Sequence, residues 1–114
     1  MQQRHSILEQ QIAHLRTLPA TSTGWDPSRP TERVLDIARS IAESNWHDNI
    51  PIPSMIGTSD GGVHVKWAHG LRRVSAFVFP DESIEYLAVE NGQPVSNHLT
   101  EGGRLSELLS WLMR

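Results

Sequence analysis

Residues 53 to 67 decide the fold prediction, and they read Pro-Ser-Met-Ile-Gly-Thr-Ser-Asp-Gly-Gly-Val-His-Val-Lys-Trp. An extended segment flanked by proline leads into an Asp-Gly-Gly turn, and a strictly alternating strand follows. Asp-Gly between apolar segments is a strong hairpin signal, because both residues tolerate a positive φ. Alternation directs side chains to opposite faces: Val63, Val65 and Trp67 to one, His64 and Lys66 to the other. The middle of the chain is therefore predicted to be antiparallel sheet.

Composition limits the class of protein. The chain has 114 residues, of which 38% are hydrophobic and 20% charged, a balance typical of one folded domain. The formal net charge is −3, and Arg72-Arg73 is the only adjacent basic pair. Binding to nucleic acid depends on clustered basic residues, so the sequence argues against it.

The chain contains no cysteine. Disulfides, thiol catalysis and cysteine zinc sites are thereby excluded, and a reducing compartment fits. The apolar segments are too short to span a bilayer, and residues 1–6 lead into a polar helix pattern, not an apolar signal region. We therefore expect a cytoplasmic protein without a membrane segment.

Helical periodicity appears at both ends of the chain. Leu8, Ile12 and Leu15 predict a helix over residues 3–17 that Pro19 ends. A second helix follows Pro30, with Thr31 as its N-cap. The last helix is predicted over residues 101–113, with Thr100 as its cap. Its apolar stripe consists of Leu105, Leu108, Leu109 and Leu112.

Five strands are predicted between the second and last helices: 54–57, 62–68, 72–79, 83–89 and 94–98. Their short connections require antiparallel neighbours. The prediction for residues 1–114 is therefore a single α+β domain, an antiparallel meander of about five strands preceded by two helices and followed by a C-terminal helix.

The strand register follows from the turns. A two-residue turn at Gly70-Leu71 places Trp67 opposite Val74, and a hairpin closed by residues 80–83 places Ala76 opposite Leu87. One face, which helices should cover, then collects Val63, Val65, Trp67, Val74, Ala76, Val78, Leu87 and Val89. The other face collects His64, Lys66, Ser75, Phe77, Phe79, Ile84, Tyr86, Ala88 and Val95.

The second predicted face is unusually apolar. Phe77, Phe79, Ile84 and Tyr86 together would form an exposed patch that is rare on a monomer, so we expect a helix or another chain to cover it. The C-terminal helix is the first candidate. A register shift of one residue would exchange the two faces.

The order of several motifs resembles a widespread group of small bacterial proteins without an established activity. Gly24-Trp25-Asp26 precedes a helix, and Pro53, Thr58-Ser59-Asp60-Gly61-Gly62-Val63 and Trp67 follow, with Pro80-Asp81 before the next strand. The resemblance covers residues 24 to 90. This chain has Glu82 where the pattern has glycine and Lys66 where it usually has glutamate. The resemblance implies a fold and, because such proteins tend to be encoded beside a second small protein, a partner chain; it implies no catalytic residues.

The residues suggest no strong catalytic or metal site. No pair of histidines has the spacing of a helical metal motif, so we predict no metal and no cofactor. Ser59, Asp60 and His64 form the only compact nucleophile–acid–base cluster, but Ser59 and Asp60 are ordinary turn residues. Gly102-Gly103 opens a helix and is at most a weak candidate for binding an anion.

We therefore interpret the sequence as a small noncatalytic protein-interaction module that acts with a partner chain or as a homodimer. The antidote or regulator of a toxin–antitoxin-like two-gene system is one example. The predicted interaction-surface residues are His64, Lys66, Phe77, Phe79, Tyr86 and Trp46. The first alternative is a small enzyme or ligand-binding protein with a pocket near His64, Lys66 and Tyr86. A nucleic-acid-binding regulator is a weaker alternative.

Overall fold

The computed structural model describes residues 2–20, 24, 26–44, 50–95 and 105–114. Its elements, in chain order, are α1 (Gln2–Leu15), α2 (Glu32–Ser44), β1 (Ser54–Gly57), β2 (Val63–His69), β3 (Arg72–Val78), β4 (Ile84–Glu90), β5 (Gln93–Pro94) and α3 (Leu105–Leu112). The strands form one antiparallel sheet in the order β1-β2-β3-β4-β5. The predicted α+β meander, with two helices before it and one after it, is confirmed.

The local signals in the sequence act as expected at the first two helices. Leu8, Ile12 and Leu15 form the buried stripe of α1. The Thr31 hydroxyl accepts a hydrogen bond of 3.2 Å from the backbone N–H of Val34, which makes Thr31 the N-cap of α2. Thr100, the predicted cap of the last helix, lies outside the described residues, as do Gly102 and Gly103.

The pairing of β2 with β3 is as predicted. Gly70, at a φ of 61°, and Leu71 form the two-residue turn, and a positive φ at the first position alone is typical of a type II′ turn. The register sets Val63 opposite Val78, Val65 opposite Ala76 and Trp67 opposite Val74. All six side chains are buried, and Trp67 is only 1% exposed.

The predicted pairing of β3 with β4 is wrong by one residue. Val74 lies opposite Ala88, not Val89, and Ala76 lies opposite Tyr86, not Leu87. Because side chains alternate, this shift moves every residue of β4 to the other face. Ile84, Tyr86 and Ala88 therefore lie on the core face, and Leu87 and Val89 lie on the opposite one.

The reason is the geometry of the β3–β4 loop. The N–H of Phe79 donates to the carbonyl of Ser83 at 2.9 Å, and the N–H of Glu82 donates to the carbonyl of Phe79 at 2.8 Å. Glu82 has a φ of 74°. These features define a three-residue loop in which a turn is followed by a left-handed residue that forms a bulge. The sequence prediction assumed a four-residue loop.

The β1–β2 loop has the same geometry with glycine in the left-handed position. The N–H of Thr58 donates to the carbonyl of Gly62 at 3.1 Å, and the N–H of Gly61 donates to the carbonyl of Thr58 at 3.2 Å. Gly61 has a φ of 89°. Thus Gly61 and Glu82 occupy equivalent positions, and only Glu82 bears the strain of a side chain there.

The helices pack on one face of the sheet and share one core with it. The core residues contributed by the strands all lie on this face of the sheet: Met55, Val63, Val65, Trp67, Val74, Ala76, Val78 and Ala88. The helix members come from α1, α2 and α3, and they include the four leucines of the α3 stripe. The first candidate cover for the other face, the C-terminal helix, therefore belongs to the core face instead.

Arg72 fastens α3 to this face. Its side chain lies on the same face of the sheet as Val74. Its Nη1 donates hydrogen bonds to the carbonyls of Trp111 at 2.6 Å and Arg114 at 3.3 Å. The guanidinium lies 4.9 Å from the centroid of the Trp111 ring, and Nε donates to Glu90 at 2.9 Å. A cation at the C-terminal end of a helix is electrostatically favourable.

Replacement of Trp67 tests the shared core. Trp67→Ala removes the largest fully buried side chain, and we expect the free energy of unfolding to fall by about 3–5 kcal/mol. Such a loss is a large part of the stability of an ordinary domain. Chemical denaturation followed by circular dichroism measures it. A variant with nearly unchanged stability would show that Trp67 does not organise the core.

Replacement of Glu82 tests the bulged loop. Glu82→Gly removes the strain at positive φ, and we expect it to raise the free energy of unfolding by about 0.5–1 kcal/mol. The substitution also removes the exposed ion pair of Glu82 with Arg33, 2.8 Å long, which should contribute little. Arg33→Ala is the control for that pair. In the equivalent loop, Gly61→Ala should destabilise the protein by about 1 kcal/mol. A destabilised Glu82→Gly variant would contradict the loop geometry.

Candidate interaction face

The sheet surface opposite the core carries the candidate functional residues, and we call it the open face. It consists of Ser54, Ile56, His64, Lys66, Ala68, Arg73, Ser75, Phe77, Glu85, Leu87 and Val89. Cross-strand pairing arranges these residues in three rows: Ile56, His64, Phe77 and Glu85; then Ser54, Lys66, Ser75 and Leu87; then Ala68, Arg73 and Val89. Within the described ranges, no residue of this face belongs to the core shared with the helices.

Several apolar side chains of the open face contact solvent. Ile56 is 47% exposed and Leu87 is 36% exposed, whereas Phe77 and Val89 are half-buried. Large apolar residues that stand alone on a surface are common, but here Phe77 lies on β3 and Leu87 and Val89 lie on the paired strand β4. Ile56, on β1, lies in the same row as Phe77. We call these four side chains the apolar band; on β2, between Ile56 and Phe77, the band is interrupted by His64.

A small ordered cluster occupies the middle of the band. The imidazole of His64 stacks on Phe77 with 4.4 Å between ring centroids and 21° between ring planes. Its Nε2 lies 2.9 Å from the hydroxyl of Ser75, and Ser75 is buried. The hydrogen bond satisfies a hydroxyl that would otherwise be costly to bury. These contacts fix the orientation of the His64 ring on a face that none of the described helices covers.

The electrostatics of the cluster favour neutral imidazole. Burial lowers the pKa of His64 from its ordinary value of 6.5, and the positive charge of Lys66 lowers it further. Lys66 lies opposite Ser75 in the neighbouring row. His64 therefore adds a polar group to the face without adding a charge near neutral pH.

The structure brings together some of the predicted surface residues and separates others. His64, Lys66 and Phe77 share the open face, and Phe79 lies half-buried in the loop after β3. Tyr86 lies on the core face, where it packs against the core and burial raises its pKa. The predicted pocket near His64, Lys66 and Tyr86 therefore does not form. Trp46 lies outside the described residues.

The structure adds Glu85, Leu87 and Val89 to the open face, where sequence reasoning had not placed Leu87 or Val89. The face on which these side chains lie depends on the left-handed backbone conformation of Glu82. A glycine at that position would have indicated such a conformation from the sequence. Pro-Asp-Gly is typical of a bulged three-residue loop. This chain has Pro80-Asp81-Glu82, so its own sequence gives no such signal.

The Ser59, Asp60 and His64 cluster does not assemble as a catalytic relay. Asp60 accepts hydrogen bonds from the Thr58 hydroxyl and, at 3.3 Å, from the N–H of Gly62, as a turn residue does. The carbonyl of Ser59 accepts a hydrogen bond from the buried Ser28 hydroxyl. His64 instead contacts Ser75, so its hydrogen-bond partner lies on the sheet and not in this turn.

Two further features bear on ligands. A cleft of about 160 Å³ lies between the end of α1 and β1, and its lining is apolar except for His14: His14, Leu15, Leu18, Pro27, Met55, Ile56 and Gly57. Among the residues that the structure describes, no group of three or more His, Asp or Glu side chains has the proximity to hold a metal ion.

None of the helices in the described segments is long and apolar enough to cross a bilayer. No family model matches the chain, and searches of the curated proteins and of the solved structures found no similar protein.

The pKa of His64 tests the geometry of the cluster. Lys66→Gln removes a nearby positive charge, so we expect the pKa of His64 to rise towards 6.5. Lys66→Arg keeps the charge and is the control. An NMR titration of the imidazole measures both. A pKa that is insensitive to the loss of the charge would contradict the placement of Lys66 beside His64.

The same shift predicts how stability depends on pH. The pKa of folded His64 lies below the unfolded value of 6.5, so the unfolded chain binds the proton first as pH falls. The contribution of His64 to stability is therefore present above the unfolded pKa of 6.5 and is lost as pH falls through the lower pKa of the folded protein. Comparison of wild type with His64→Gln by chemical denaturation across this range isolates the contribution.

Proposed function

We propose that this protein is a noncatalytic interaction module that binds another polypeptide with its open face. The observation that supports this most directly is the one-sided core. The described helices share the core on one face of the sheet, and the opposite face presents an apolar band from Ile56 to Leu87. An exposed apolar surface with a polar margin is typical of a protein-binding site.

The arrangement of the band suits binding. Phe77 lies near its centre and is already held by the stacked His64 ring. An aromatic side chain with a fixed orientation loses little conformational entropy when a partner covers it. Lys66, Arg73 and Glu85 supply charges around the apolar residues, and such a margin contributes specificity more than affinity.

The biological setting that we propose is a two-gene system in which this chain is the antidote or regulator of a partner. The resemblance of residues 24–90 to small bacterial proteins that tend to be encoded beside a second small protein supports this setting. The absence of cysteine suits a bacterial cytoplasmic pair. The described turn around Ser59 and Asp60 offers no comparable support for an enzyme.

Replacement of Phe77 tests the proposal. Phe77→Asp places a charge in the middle of the apolar band, where solvent still reaches it. We expect the variant to remain folded and to lose its partner, because binding would bury an unpaired carboxylate. Affinity purification of tagged protein followed by mass spectrometry measures partner retention, and circular dichroism confirms folding.

Leu71→Asp is the matched control. It makes the same kind of change at a residue that is 68% exposed in the β2–β3 turn, away from the open face. It should keep the partner. A folded Phe77→Asp variant that retains every protein bound by the Leu71→Asp variant would refute the proposed function.

A further inference from the structure

We infer that the open face binds a second copy of this chain and forms a two-fold symmetric homodimer. This inference rests on the proposed function and names its partner. The observation behind it is the distribution of charge across the strands. On the described open face, the basic side chains lie on β2 and β3, whereas the acidic side chain, Glu85, lies on β4.

A two-fold axis parallel to β3 brings Lys66 of each copy near Glu85 of the other. It also brings the two Arg73 side chains together at the axis, and these exposed side chains must turn outward to solvent. The axis places β3 of one copy over β3 of the other, and it places β2 of each copy over β4 of the other. It keeps the strands of the two sheets aligned, apart from the crossing of about 30° that is usual when two sheets pack face to face. Every contact away from the axis then occurs twice, because the same surface is used by both copies.

The cross-strand rows determine which side chains meet. In the first row, Glu85 of each copy faces His64 of the other, and the two Phe77 rings face one another at the axis. Lys66 lies two residues further along β2, about 6.7 Å away, which is within reach of its long side chain. Glu85 of one copy can therefore pair with Lys66 of the other.

The second row completes the contact. Leu87 of one copy faces the aliphatic part of Lys66 in the other, and the two Ser75 residues face one another near the axis. Lysine covers apolar surface with its stem while its ammonium group stays near solvent. Leu87, which is 36% exposed in the single chain, would thus become covered.

The alternative axis, perpendicular to the strands, does not match the charges. It exchanges the first row with the third on the same strand, so Glu85 would face Val89 and Phe77 would face Arg73. The carboxylate of Glu85 would then be desolvated against an apolar side chain, which is unfavourable. The contacts between Glu85 and Lys66, which form only with the axis parallel to β3, therefore favour that axis.

Reversal of the charges tests the dimer. Lys66→Glu and Glu85→Lys each place like charges opposite one another, and we expect each to raise the dimer dissociation constant about tenfold or more. The double variant restores the pairing in the opposite sense and keeps the net charge at −3, so it should recover dimerisation. Sedimentation velocity over a series of concentrations measures the dimer dissociation constant of wild type, the two single variants and the double variant.

Glu107→Lys is the matched control, because it makes the same charge change as Glu85→Lys at an exposed residue of α3. It should dimerise as wild type does. A wild type that stays monomeric at every concentration would overturn the inference. A dimer that neither reversal weakens, or that the double variant fails to restore, would overturn it as well.

The same experiments distinguish failure of the dimer from failure of the proposed function. If wild type is monomeric but a different protein is retained by Leu71→Asp and lost from Phe77→Asp, the second-copy inference fails and the proposed function stands with another partner. If neither self-association nor any other retention depends on Phe77, both fail.

Discussion

The pairing of β2 with β3 through their alternating apolar residues is the constraint on which the rest of the structure depends. Val63, Val65 and Trp67 are fully buried on one side of β2, and the β3 residues opposite them are equally buried. Because side chains alternate along a strand, this choice assigns His64 and Lys66 to the other side. The helices must then cover the first side, since their own apolar stripes need that surface.

The open face is a consequence of this choice. A helix with a single apolar stripe can cover only one face of a sheet, and the stripes of α1, α2 and α3 all contribute to the same core. Arg72 strengthens the arrangement from the core side, because it binds the carbonyl of Trp111 in the last turn of α3 and that of Arg114 just beyond the helix. What remains on the opposite face is an apolar band whose centre is ordered by contacts within the sheet, between His64, Phe77 and Ser75.

The sequence was sufficient to predict the fold class, the order of elements and the β2–β3 register, because alternation and a glycine turn specify these locally. It did not suffice for β4, whose phase depends on the backbone conformation of one residue. Glu82 adopts a left-handed conformation that its residue type does not suggest. In the equivalent loop, Gly61 does suggest it, because glycine readily adopts a positive φ. The error had placed Tyr86 on the candidate face and Leu87 on the core face, and the structure exchanges the two. Partner identity is not encoded in any of these local signals.

The central claim is that one face of the sheet is buried by the helices and the other is open in the single chain. Methyl NMR with a soluble paramagnetic agent tests this most directly, at a protein concentration at which sedimentation velocity shows a monomer. The account predicts strong relaxation of the Leu87 and Val89 methyl groups and little relaxation of those of Val74 and Ala88. Ala88 lies between Leu87 and Val89 on β4, and Val74 is its partner on β3. Equal protection of Leu87, Val89 and Val74 would contradict it.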